Sequence, residues 1–339
     1  MKKTLSILLA TSVSFFGLHA GESLPDPDGK PADMKKPVQV FILLGQSNML
    51  GFGKIKGGDG SLEHATSEKK LYPYLVDDSG SWTERKDVRF VRVMQARGNM
   101  KVFNNEFMTI KGNIGPEIGI GHHVGNLIDA PVMILKSCIG NRSLGWDLLP
   151  PGSSGYKHDG KQIPGYKETF KSKKDKTIVP FIKGGDCMQW YAGKQYDDDI
   201  GNAKKVLSEL DKYYPGAKSY EVAGFLWWQG DKDMRNPAHY SKYEENLGSL
   251  LAALRKDFKA PKAKMVVASL GQTKKGSSKG DGVILEAMTS FSKKNNDVEF
   301  VYTHPLSKGG SSSGHYNKHA ETYMNVGEAM GEAMVKLLK

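Results

Sequence analysis

A serine just past an apolar strand, a distant histidine and a side-chain amide are the residues here whose types and placement can do chemistry together. In Phe41-Ile42-Leu43-Leu44-Gly45-Gln46-Ser47-Asn48-Met49 a run of strand character breaks at a glycine. That puts the Ser47 hydroxyl at the C-terminal edge of a buried strand, where open α/β sheets hold their ligands. His315 stands in Gly314-His315-Tyr316-Asn317, directly after the loop Gly309-Gly310-Ser311-Ser312-Ser313. Gln229 ends the run Phe225-Leu226-Trp227-Trp228 and is followed by Gly230-Asp231. Together these are the parts of acyl transfer: a nucleophile, a base that takes its proton, and a donor for the oxyanion. An imidazole titrates near neutrality and can accept and return one proton. The Gln229 amide N–H, with backbone N–H groups, would meet the negative oxygen of a tetrahedral intermediate. Those backbone donors are Ser47 itself and a glycine. Gly140, after Lys136-Ser137-Cys138-Ile139, is preferred, and Gly115, before Pro116-Glu117, is the alternative. His304, in Tyr302-Thr303-His304-Pro305, is the rival base because it follows a strand.

The elements that must position these residues are legible as runs. Apolar, β-rich segments stand at Val38–Leu44, Val88–Met94, Pro131–Lys136, Val222–Trp228, Lys264–Leu270 and Val298–Tyr302. Several are continuous rather than alternating, as in strands buried on both faces. Helical patterns lie between them: 116–127, Ile200–Tyr213, Pro237–Phe258 with Asn236 as N-cap, Asp281–Lys294 and Lys318–Leu338. The stripe Met324, Val326, Met330, Met334 and Leu337 on the last helix is a core face. Strands alternating with helices predict an α/β fold, a three-layer α/β/α sandwich with a mainly parallel sheet.

The Gly-Gln-Ser-Asn-Met block at 45–49, the Trp-Trp-Gln-Gly-Asp block at 227–231 and the late His315 resemble the SGNH (GDSL-like) hydrolases, most nearly the sialate O-acetylesterase / carbohydrate esterase family 6 branch. The resemblance runs from about Pro37 to the C-terminus, with a less typical stretch at about 150–197. It implies a flavodoxin-like sandwich, Ser47 as nucleophile, and His315 rather than His304 as base, since the family's base precedes the last helix. The implied activity is a serine esterase that removes O-acetyl groups from carbohydrate through an acetyl-serine intermediate, with no metal or organic cofactor. Gln46, Asn48, Glu117, Arg142 and Asp231 then become substrate-binding or supporting residues, Arg142 suited to a carboxylate or sulfate.

Two positions depart from the family pattern. Many SGNH enzymes carry Asp three residues before the histidine; this chain has Ser312. The orienting group is then a backbone carbonyl or a carboxylate from elsewhere, with Asp231 and Asp233 the nearest by motif. Relatives usually have Glu where Asp231 stands. The segment 150–197 is Gly-, Lys- and Pro-rich, as expected of a long loop insertion. Its Tyr156, Tyr166, Trp190 and Tyr191 either stack on sugar rings or pack the loop down.

The start, Met1-Lys2-Lys3 followed by an apolar stretch to about Leu18, is the pattern of a signal peptide spanning 1–20. A flexible lead-in at 21–36 and an esterase domain over 37–339 follow, in a secreted or periplasmic protein. The apolar stretch is too short and interrupted for a spanning helix. Net charge is +11. Lysines are scattered, with no basic stripe interleaved with aromatics, which excludes a nucleic-acid binder. A basic surface is either plain solvation or a preference for an anionic glycan. Cys138 and Cys187 are the two cysteines; they either pair, as in an exported protein, or Cys138 is a small buried residue. No Cys/His spacing matches a zinc site, and His315 with His319 lacks the glutamate of the zincin pattern. Two other readings remain open: a carbohydrate-binding relative with impaired catalysis, and a general lipase or thioesterase on the same scaffold.

Overall fold

Val38–Gly45 forms β1, and almost every residue of it is buried because neighbours pair on both sides and helices cover both faces. The computed structural model describes residues 24–25, 27–96, 98–171, 178–180 and 190–339. After β1 come α1 (Ser47–Leu50), α2 (Leu62–Ser67), β2 (Arg85–Ala96), β3 (Asn99–Met108), α3 (Glu117–Leu127) and β4 (Val132–Ser137). The next stretch holds short strands: β5 (Tyr156–His158), β6 (Lys161–Ile163), β7 (Thr169–Lys171), β8 (Ile178–Pro180) and β9 (Trp190–Tyr191). The last part supplies α4 (Lys194–Ser208), α5 (Leu210–Tyr213), β10 (Tyr220–Trp228), α6 (Pro237–Ser241), α7 (Tyr243–Asp257), β11 (Lys264–Ala268), α8 (Gly280–Lys294), β12 (Val298–Val301) and α9 (Ala320–Leu338).

The main sheet has seven strands in the order β12-β11-β10-β1-β4-β2-β3. All pairs are parallel except β2–β3, an antiparallel pair at one edge. Side chains alternate across it. Val40, Ile42, Leu44 and Trp227 pack on one face with Ile200, Leu247 and Met288 from α4, α7 and α8. Phe41, Leu43, Leu226 and Trp228 pack on the other with Ile120, Tyr323 and Met330 from α3 and α9. The result is the three-layer α/β/α sandwich that the run pattern predicts.

α9 is seated by close backbone approach to α3. A Cβ on Gly119 would fall 2.4 Å from the Glu328 nitrogen, and one on Gly327 would fall 2.5 Å from the Pro116 oxygen. This docking matters because α9 directly follows the turn that carries His315.

The six expected strands are all present as β1, β2, β4, β10, β11 and β12. β3 is additional. The expected helix at 200–213 starts earlier and breaks at Glu209, and the one at 237–258 breaks at Lys242. Asn236 caps as expected, its side chain accepting the Ala238 N–H at 3.1 Å. The expected insertion at 150–197 overlaps α4, which begins at Lys194. The signal segment at 1–20 and Cys187 lie outside the described residues, while Cys138 is fully buried, which pushes its thiol up to about 12. Among the described residues, no helix is long and apolar enough to cross a membrane.

Candidate active site

β1 ends at Gly45 with φ +143°, and a Cβ there would lie 2.5 Å from the Trp228 oxygen. Only glycine lets the chain turn this tightly against β10. Ser47 then opens α1, nearly buried at 8 % exposure. Gly140, in the loop after β4, comes alongside: a Cβ on it would sit 3.5 Å from the Ser47 Cβ. Neither the Ser47 nor the Gly140 N–H has a hydrogen-bond partner among the described residues. Gly115 differs, because its N–H donates to the Glu117 carboxylate at 3.0 Å. Of the two candidate glycines, Gly140 is therefore the one with a free donor beside the serine.

The amide of Gln229, the expected side-chain oxyanion donor, is engaged within the protein. It is fully buried, and its Nε2 donates to the Arg142 carbonyl at 2.8 Å and to Asp233 at 2.5 Å. Both amide hydrogens are thus used, while its Oε1 accepts from the Tyr243 hydroxyl at 2.7 Å. The residue ties the loop after β10 to the loop after β4. Gln46 has a similar role: its Oε1 accepts from the Gly230 and Lys232 N–H groups at 3.4 and 3.3 Å. Asn48 is fully buried, with neither amide atom bonded among the described residues.

Asp233, one candidate orienter, is also a loop tie. Besides Gln229 it accepts the Leu144 N–H at 2.9 Å and the Gly145 N–H at 2.7 Å. Complete burial pushes its carboxyl up to about 6, against the pull of these bonds. A carboxyl raised on folding binds its proton more tightly in the native state, so its stabilisation is present near pH 4 and lost as pH rises through 6. Urea unfolding of wild type and Asp233→Asn should show the wild-type advantage shrinking by about 2–3 kcal/mol from pH 4 to pH 7. An unchanged difference would mean that Asp233 keeps an ordinary acidity.

Glu117 lies beneath α1, buried among backbone and side-chain partners. It pairs with Lys136, and both side chains are buried. Lys136 also donates to the Leu50 carbonyl at 3.0 Å, at the end of α1. Burial draws the Lys136 ammonium down from the usual lysine range. The sequence reading missed this residue; a lone lysine inside Val132-Met133-Ile134-Leu135-Lys136 was the available signal.

Arg142 is half-buried, with its guanidinium 4.2 Å above the Trp190 ring and its Nε bonded to Gln195 at 3.3 Å. Trp190 donates to Asp147 at 2.5 Å. Tyr166 and Tyr191 donate to Asp197 at 2.7 and 2.6 Å, and Tyr156 donates to the Ala238 carbonyl. The described aromatics of the insertion are packed down by these bonds.

His315 sits in a turn against α1. His315, Tyr316, Asn317 and Lys318 all have left-handed backbone, with φ of 50°, 51°, 49° and 59°. Such a run of non-glycine residues is costly and persists only where its surroundings over-determine it. Tyr316 is buried, stacks on Trp228 at 5.8 Å and accepts the Gly271 N–H at 3.2 Å. The Tyr323 hydroxyl donates to the His315 carbonyl at 3.3 Å. The imidazole itself lies flat on Phe52, ring centroids 4.1 Å apart and planes 12° apart. Among the described residues, no hydrogen bond joins it to Ser47. Ser312, at the family's aspartate position, donates its hydroxyl to Asp231 at 2.7 Å, and Asp231 also holds Arg235 at 2.9 Å. His304, the rival, bonds the Gly271 carbonyl at 2.8 Å and follows β12. β12 lies three strand spacings from β1, about 14 Å across the sheet.

Asp59, His319 and Glu321 also bring ligand atoms within 4.8 Å of one another. The two carboxylates already hold Lys69, and Glu321 holds Lys308 as well.

No curated protein sequence matches this chain. Among solved structures, a protein of Arabidopsis thaliana is similar at 15 % identity with a TM-score of 0.52, covering 89 % of this chain and 99 % of its own. A carbohydrate acetylesterase from Xanthomonas citri is similar at 14 % identity with a TM-score of 0.49, over 87 % of this chain and 55 % of its own. A family profile described as carbohydrate esterase, sialic acid-specific acetylesterase, matches residues 165–336. That segment includes Gln229, Asp231 and His315 and makes up just over half of the sequence. The chain belongs to this carbohydrate esterase family.

Proposed function

We propose that the protein is an exported serine esterase that removes O-acetyl groups from carbohydrate through an acetyl-Ser47 intermediate. The observation that carries this reading is the meeting of Ser47 with Gly140, two N–H groups unbonded among the described residues beside one hydroxyl, with the His315 turn packed on α1. Ser47 Oγ attacks the ester carbonyl while His315 takes its proton. The Ser47 and Gly140 N–H groups hold the oxyanion. The C–O bond to the sugar breaks, the sugar hydroxyl leaves with the proton from His315, and the acetyl group stays on Ser47. Water, deprotonated by His315, then attacks the acetyl carbonyl; the bond from that carbon to Ser47 Oγ breaks, His315 returns the proton to Oγ, and acetate departs.

Asp231 is the favoured orienting carboxylate, since it reaches the histidine turn through Ser312 whereas Asp233 is spent on three N–H donors. Export rests on the leader pattern at 1–20. An anionic glycan is compatible with the net charge of +11, although Lys167 and Lys194 in the insertion are paired with Asp197 and Asp198.

Hydrolysis of 4-nitrophenyl acetate, butyrate and octanoate by the folded protein tests the reading. An acetylesterase should lose at least about tenfold in kcat/KM from acetate to octanoate, the scale of a poor fit in a tight pocket. A rise with chain length would point to a lipase or thioesterase. No turnover of any ester, or of acetylated glycan, would leave a binding protein.

A further inference from the structure

The imidazole of His315 rests on an aromatic face that is itself built into the nucleophile's elbow. Phe52 follows α1 by two residues and is half-buried. Its segment is stitched in place directly after the ring: Gly53 exchanges backbone bonds with Ile114 at 2.9 and 3.0 Å, and the Lys54 N–H donates to the Lys318 carbonyl at 3.0 Å. The strand end that delivers Ser47 therefore also delivers the ring under His315.

We infer that Phe52 is a positioning residue for the general base, holding the His315 ring and favouring its charged form as the proton leaves Ser47. A neutral imidazole stacked on phenyl gains ordinary contact. Once it carries the Ser47 proton it is a cation on a ring face, and the attraction grows. An interaction stronger in the transition state than in the ground state raises kcat rather than tightening substrate binding. The need for it is visible in the same turn. Ser312 stands where the family places a carboxylate, so Asp231 reaches the turn at one remove, through the Ser312 hydroxyl. The aromatic face supplies support for the imidazolium that a directly bonded aspartate would otherwise supply.

This inference rests on His315 being the base, so His315→Ala is measured beside the Phe52 variants, all on 4-nitrophenyl acetate. Phe52→Leu keeps an apolar side chain and removes the π face. It should lower kcat about threefold to thirtyfold with KM little changed, and Phe52→Tyr should restore kcat. In the NMR spectrum of wild type the His315 ring protons should lie upfield, and in Phe52→Leu they should move downfield. Full activity in His315→Ala would overturn the base assignment itself. An inactive His315→Ala with wild-type kcat in Phe52→Leu would overturn only the role of Phe52. So would an equal loss in the leucine and tyrosine variants, or a loss confined to KM.

Discussion

Ser47→Ala should lower kcat on 4-nitrophenyl acetate by on the order of a millionfold, while the protein stays folded. The size follows from the coupling of the parts. In the proposed mechanism, loss of the hydroxyl leaves no acyl-enzyme to form and no proton for His315 to accept. Removal of one member of such a unit costs nearly as much as removal of all. A million is about 8 kcal/mol of barrier, far more than any binding contact near the site can supply. His315→Ala should fall to a similar floor, and the double variant should be little worse than either single one. Ser47 is nearly buried but small, and its hydroxyl makes no hydrogen bond among the described residues. Its loss should therefore leave the urea midpoint almost unchanged. Equal rates in wild type and Ser47→Ala would remove this serine from the mechanism.

Lys136→Met should destabilise the fold by about 3–5 kcal/mol, the cost of leaving Glu117 buried without its cation. Against a total stability of about 5–15 kcal/mol that is a large share, and it should appear as a lower urea midpoint. Replacing both partners, as Lys136→Met with Glu117→Leu, should recover most of the loss. A buried ion pair contributes little net stability over apolar side chains of similar volume. The double variant should not recover full activity. Lys136 holds the Leu50 carbonyl at the end of α1, and Glu117 holds the Gly115 N–H beside Gly51. With both gone, the elbow that aims Ser47 loses its floor. A double variant as unstable as Lys136→Met would show that the pair stabilises the fold in its own right.

The parallel core was legible because strands buried on both faces are mostly apolar, as β1 and β4 are apart from Gln39, Lys136 and Ser137. β3 was not legible for the converse reason. It is an edge strand, largely solvent-facing, with Asn104-Asn105-Glu106 inside it and Val102 and Phe103 exposed. The breaks at Glu209 and Lys242 carry neither proline nor glycine, so no local signal marks them. In the site, Ser47 and Gly140 were legible by type and by place after a strand, and the structure puts them side by side. Gln229 shows the limit of that reasoning. The strand end fixes where its backbone lies, but Asp233, Arg142 and Tyr243 decide where its amide points. Those partners come from three separate segments, and no spacing in the sequence announces their convergence. Lys136 and Glu117 pair in the same way, through proximity that only the folded sheet creates.

The left-handed turn at His315–Lys318 is anchored by Trp228 from β10 and Tyr323 from α9, and it closes on the elbow that follows β1. Its parts are thus separated by most of the chain. Loop-closure entropy has to be overcome before contacts of such long range stabilise anything, and parallel sheets are slow to assemble for that reason. A local run of four strained residues has no means of holding itself in the unfolded chain. If His315 is the base, activity should return on refolding no earlier than the pairing of the central strands and the docking of the last helix, so that the folding chain is catalytically silent until late.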